Sequence, residues 1–313
     1  MNGTEIITFL SNNFPTVMTA VGSVTGGLFT AIFLRHNTSA TEFEKIKVGQ
    51  FKEVADNLLE SGKMTYTEYY KANNFLQVAK KADEYYAEMQ HDQAKTAYDF
   101  DWFVRFYEAV GNISDEEMQE LWAKILAGEI ARPSSFSLKT IDTLRNISRN
   151  DAELFVKLCS HSFGLCDQRL FLPRYDDYLD KRGIQYSDIM KLNEYGLIFN
   201  NGTISLNLTI NKEPQILFIN NELLMTIASV DEKVVEASIS QYPFTEVGRE
   251  LALLIKQSAT DDDFIDLGRE ISERNKNYKL GVYKVISWHD DLVEYERVNL
   301  LDNTLTDKDV SKE

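Results

Sequence analysis

The residues that could do chemistry in this chain are few and scattered. Cys159, His161 and Cys166 stand in a C-x-H-x4-C spacing, and thiolates with an imidazole are tetrahedral zinc ligands. The set lacks a fourth ligand and begins on a predicted helix, so ordinary core thiols are the simpler expectation. His36, His91 and His289 lie far apart, and the fold would have to assemble any catalytic pair from them. Asp99, Asp101 and Glu129 offer carboxylates for Mg²⁺, which needs only one or two of them plus substrate phosphates. Such acids more commonly cap helices or pair with cations, here Arg105 and Arg132. The run ATDDDFIDLGRE, residues 259–270, reads as a solvated helix start. No phosphate-cradling glycine loop, G-x-S-x-G elbow or H-E-x-x-H motif occurs. The expectation is a protein that is not an enzyme, with no metal and no cofactor.

The elements that must position these residues are mostly helical at first. Phe43, Ile46, Phe51, Val54 and Leu58 recur at helical spacing before a break at Ser61-Gly62. The stretch MTYTEYYKANNFLQVAKKADEYYAEM predicts a second long helix, and among so many acids its tyrosines read as packing rather than as a stacking platform. Ser114 with Glu117 predicts a capping box for a helix that turns Met118, Leu121, Trp122, Ile125 and Leu126 inward. Pro133 stops it, and Ser137 caps the next helix, which carries Ile141, Leu144 and Ile147. Ser148 and Asp151 start a third, and short connections between short helices predict a compact bundle.

Beyond Cys166 the texture changes. YSDIMKLNEYGLIF predicts a helix that ends at Gly196 and feeds a strand, and NNGTISLNL an Asn-Gly turn with an alternating strand. FTEVGRELALLIK is a capped helix, and YKLGVYKVISWHDDL a late strand. This order predicts a winged-helix-like module. The expected fold class is mainly α with an α+β C-terminal part. A membrane-active N-terminal helix would occupy 1–35, a helical region and bundle 36–160, and the winged-helix-like module 161–313.

The segment PTVMTAVGSVTGGLFTAIFLR, Pro15 to Arg35, stands apart from all of this. Its uncharged run from Thr16 to Leu34 has about the length that spans a bilayer core of roughly 30 Å. On a helical wheel Val17, Met18, Val21, Val24, Leu28, Phe29, Ile32 and Phe33 form a large apolar face for insertion. Thr19, Gly22, Ser23, Gly26, Gly27 and Thr30 form the opposite face, whose small-xxx-small spacing suits an oligomer seam or a pore lining. A buried core hairpin and a simple membrane anchor are the plainer alternatives. Arg35, Lys45 and Lys47 follow the span and no basic residue precedes it, so the body is expected on the cytoplasmic side of the inner membrane.

Composition narrows the partners. The 313 residues are 43% hydrophobic and 26% charged, with a formal net charge of −16. That balance argues against nucleic acid, whose binding runs on Lys and Arg, and against passive adhesion to an anionic leaflet. Two cysteines form no disulfide framework, which fits a reducing cytoplasm. The absence of a basic start and of an A-x-A site argues against a secretory signal.

The central block resembles a bacterial family of unknown function, number 2806. The resemblance rests on Asp101-Trp102, ISDEEMQ from Ile113 to Gln119, Leu121-Trp122, ILAGE from Ile125 to Glu129, Ser135-Phe136-Ser137 and DAELF from Asp151 to Phe155. Asn74 and Ala79 fit loosely, and the match spans about 65 to 255. The family brings no activity with it. Its members resemble components of bacterial accessory and defence gene sets, and the apolar start before a soluble body is similar to the layout of membrane-attacking effectors. The expected function is therefore anti-phage defence. The protein would sense a phage-derived protein trigger, form a homo-oligomer and permeabilise the inner membrane through its N-terminal segment. A membrane-tethered or soluble adaptor that only binds protein partners is the alternative.

Overall fold

A computed structural model describes residues 59–60, 62, 65–89, 99–164, 170–200, 204–220, 222–231, 233–255, 259–289 and 292–302. The chain divides into two compact units between Arg149 and Asn150.

The first unit is helical. Helix α1 (Tyr66–Glu88) begins at a reciprocal box in which the Thr65 hydroxyl accepts from the Glu68 amide and the Glu68 carboxylate accepts from the Thr65 amide. Asp99 caps α2 (Phe100–Val110) and Ser137 caps α4 (Leu138–Leu144). Between them lies α3 (Glu116–Ala131), capped by Asp115, whose carboxylate accepts from the Met118 amide at 2.9 Å. The cap thus sits one residue later than the expected Ser114, because the Asp115 oxygen reaches the free amide of the first turn. Helices α1 and α3 pack together through Phe75, Val78 and Ala82 on one and Trp122, Ile125 and Leu126 on the other, all buried. The Trp102 ring stacks on Phe106, which meets Trp122 edge-on. Each large side chain buried this way contributes about 1.5–3 kcal/mol.

The second unit contains helices and two antiparallel sheets. Helix α5 (Arg149–Cys159) leads into β1 (Phe163–Gly164) and β2 (Leu170–Pro173), then α6 (Asp176–Lys181) and α7 (Tyr186–Glu194). There follow β3 (Ser205–Ile210), β4 (Gln215–Ile219), β5 (Leu223–Ser229) and β6 (Val235–Pro243). Helices α8 (Glu246–Ala252) and α9 (Asp261–Arg274) precede β7 (Tyr278–His289) and β8 (Leu292–Tyr295). One sheet runs β1-β2-β6-β3 and the other β4-β5-β7-β8. The long β7 pairs with β5 over residues 278–284 and with β8 beyond them. An aromatic core joins the elements. Phe163 lies 5.0 Å from Phe264 of α9 and 5.4 Å from Phe218 of β4, and Phe171 lies 5.3 Å from Phe218.

The expectation of a mainly α chain with a winged-helix-like module is corrected by these two four-stranded sheets. The reason is burial. Strand β5 (LLMTIAS) is buried at six of its seven positions, so it shows no apolar-polar alternation and gives no period to read. The expected membrane-active helix over 1–35 lies outside the described residues, as does every residue assigned to its two faces.

Candidate functional site

The densest polar arrangement of the second unit surrounds Asp263, whose side chain is 1% exposed. Its origin is local. Thr260 caps α9, its hydroxyl accepting from the Asp263 amide, and the Asp263 carboxylate accepts in return from the Thr260 amide at 2.8 Å and hydroxyl at 2.9 Å. Three distant groups then converge on the same carboxylate. The imidazole Nδ1 of His161 stands 3.0 Å from Oδ1, and the Tyr178 hydroxyl 3.1 Å from it. Arg182 donates its Nε to that oxygen and reaches Asp266 at 3.3 Å with Nη2. The guanidinium also lies over the Tyr178 ring, a cation–π contact. Lys181 closes the set on Asp266 at 2.9 Å.

Burial opposes the ionisation of Asp263, yet the hydrogen bonds from His161, the Thr260 backbone and Arg182 outweigh it. They hold the carboxyl well below the usual carboxylate range. Burial, then the neighbouring Asp263 charge, pushes the Tyr178 hydroxyl well above its ordinary value, so it stays protonated and donates. A carboxylate this acidic, with donors on both oxygens, is a poor proton acceptor for catalysis. What the arrangement does is tie the end of α5, the end of α6 and the start of α9 to one buried charge.

Beside this clamp is a small cleft of about 210 Å³, lined in part by Cys159, Phe163, Phe218, Phe244 and Phe264. Its lining is mostly apolar, with Ser162 and Asn220 as polar members, and its one thiol is buried. Burial pushes Cys159 far above its ordinary value, which disfavours the reactive thiolate form. Among the described residues no group of three or more potential metal ligands is present. Cys166, the third residue of the suggested zinc set, lies outside the described residues.

A family model described as "Protein of unknown function (DUF2806)" matches residues 61–267. The chain belongs to this family. No curated protein and no solved structure matches it. Several residues that carry the DUF2806 resemblance hold local structure together. Glu129, 1% exposed, accepts from the amides of Ser134 at 2.7 Å and Phe136 at 2.9 Å. It thereby holds the turn in which Ser134 adopts a positive φ of 70°. Gly128 makes room for that turn, since a Cβ there would lie 2.9 Å from the Phe136 ring. The Trp102 indole donates to the Phe136 carbonyl at 2.8 Å. In the second unit Asp151 accepts from the Tyr195 hydroxyl at 2.8 Å and pairs with Lys191.

The suggested carboxylate set is therefore not brought together for a metal. Asp99 caps α2, Glu129 serves the turn, and Arg105 pairs with Asp142 at 3.2 Å. The acidic run expected to be solvated supplies the buried Asp263 instead. One signal for it exists in the sequence, the T-x-x-D spacing of a capping box, but its partners at His161 and Arg182 are 102 and 81 residues away. The proposed membrane-inserting and pore-face residues, Val17 to Phe33, lie outside the described residues.

Proposed function

We propose that this protein is a bacterial anti-phage effector whose folded body recognises a phage-derived protein and whose apolar N-terminal segment permeabilises the inner membrane once the chains assemble. The observation that carries the reading is the uncharged 19-residue run from Thr16 to Leu34, long enough for a bilayer core. It is followed by an acidic body in which the buried carboxylates Glu129 and Asp263 are committed to internal hydrogen bonds. Among the described residues no helix is long and apolar enough to cross a membrane, so membrane action rests on the N-terminal segment. Assembly would concentrate segments that each insert weakly, because three glycines disfavour a stable span in isolation.

The test is dye entry into cells and survival under phage challenge, for the full chain and for a chain lacking residues 1–35. The reading expects dye entry and protection from the full chain only. Full protection by the shortened chain overturns it. Cofractionation with membranes without dye entry supports the adaptor reading instead.

A further inference from the structure

A groove of about 900 Å³ opens on the β4-β5-β7-β8 sheet of the second unit. Thr226 of β5 stands in register with Gly281 of β7, and both line it. Gly281 is a consequence of the packing there. A Cβ would fall 2.2 Å from the Tyr283 hydroxyl oxygen, so the missing side chain lets the Tyr283 ring lie over the strand. Helix α9 supplies another wall through Arg269, and Lys276 adds to it just beyond the helix end.

Two features of the lining leave polar groups open to a ligand. Thr226 and Tyr278 are only 5% and 6% exposed, but neither hydroxyl is among the buried unpartnered polar atoms of the described residues, so the hydroxyls keep contact with the solvent of the groove that both residues line. Arg269 and Lys279 are exposed, and neither forms an ion pair with a carboxylate among the described residues. With Lys276 they place three cations around the groove against Glu273 and Asp302, a local excess of positive charge in a chain of net charge −16.

We propose that this groove binds an organic phosphate of about nucleotide size, its phosphate held by Arg269 and Lys279 and its polar remainder by the Thr226 and Tyr278 hydroxyls. The volume lies within the roughly 300–1,000 Å³ of small-molecule sites. A guanidinium presents paired N–H donors that match phosphate oxygens, and an ammonium adds a point charge. The neutral hydroxyls supply hydrogen bonds for an uncharged sugar or base, which a bare anion would leave unused. The inference concerns the second unit alone and does not rest on the membrane reading.

The test is calorimetric titration of the full chain at low salt with ATP, pyrophosphate and citrate. ATP is expected to bind saturably and more tightly than pyrophosphate or citrate, and to weaken as salt rises. Arg269→Ala and Lys279→Ala should each weaken ATP by about tenfold, and Thr226→Val by about threefold. Both cations are exposed, so unchanged circular dichroism separates lost binding from lost folding. No saturable ATP binding, equal binding by citrate, wild-type affinity in the Arg269→Ala/Lys279→Ala double variant, or binding only to vesicles of anionic phospholipid would each overturn the proposal.

Discussion

Glu129 in the helical unit and Asp263 in the mixed unit are both 1% exposed carboxylates, but they are satisfied in different ways. The Ser134 and Phe136 amides that Glu129 accepts are neutral and lie five and seven residues away. Asp263 takes one share of its donors from its own cap and the rest from Arg182, Tyr178 and His161, across 81 to 102 residues. One carboxylate shapes a local turn, and the other fastens remote elements with a buried charge pair. A buried ion pair is fragile to the loss of one partner, because the other is then stranded without compensation. Loss of the Glu129 carboxylate leaves the neutral Ser134 and Phe136 amides without this acceptor.

The largest expected effect therefore belongs to Asp263→Ala. It should cost about 3–5 kcal/mol, because Arg182, whose side chain is 6% exposed, loses its buried partner and keeps only the Asp266 carboxylate at 3.3 Å as a counter-charge. Denaturant unfolding read with amide exchange should place the loss in residues 150–302 and leave α1 to α4 protected. A cost below about 1 kcal/mol would mean that the ion pair contributes no more than a surface one.

Acid provides the next test. The folded value of Asp263 is depressed, so its contribution is fully present above the unfolded value of about 3.9. It should be lost as pH falls through the folded value, at about 1.4 kcal/mol for each unit of the difference. Thermal melts between pH 5 and pH 2 should show a shallower loss for Asp263→Asn than for the unaltered protein, and parallel curves would remove the charge from the account.

A smaller change is expected from Glu129→Gln, about 1–3 kcal/mol, since one amide oxygen remains to accept where two carboxylate oxygens did. Exchange should quicken at the Ser134 and Phe136 amides while α9 is untouched. Spread of that effect into the second unit would break the contrast between a local and a remote carboxylate.

Legibility in the sequence follows the same division. Ser137 and Pro133 signal by their own chemistry where α4 begins and α3 stops, and the structure places both boundaries there. Thr245 likewise caps α8. Local competition decides the finer detail, as where Asp115 takes the cap expected of Ser114. The sheets were harder to read because β5 is buried on both faces and because β2 pairs with β6 across about 70 residues, Phe171 opposite Pro243. The clamp was hidden for a related reason. DDDFID has the composition of a solvated helix start, and only the fold carries His161, Tyr178 and Arg182 to Asp263.

The shared strand β7 has a temporal consequence. Residues 223–229 cannot complete their ladder until residues 278–284 are available, whereas α1 to α4 close over shorter spans of chain, 37 residues from Asn74 to Gly111 and 39 from Lys81 to Glu120. Local topologies fold in roughly microseconds to milliseconds and long-range β pairings in milliseconds to seconds. On the ribosome the helical unit can therefore be finished while β5 still waits with an open edge, and unpaired edges recruit other chains. Slow arrival of residues 278–284 would leave newly made protein exposed to aggregation through the open edge of β5.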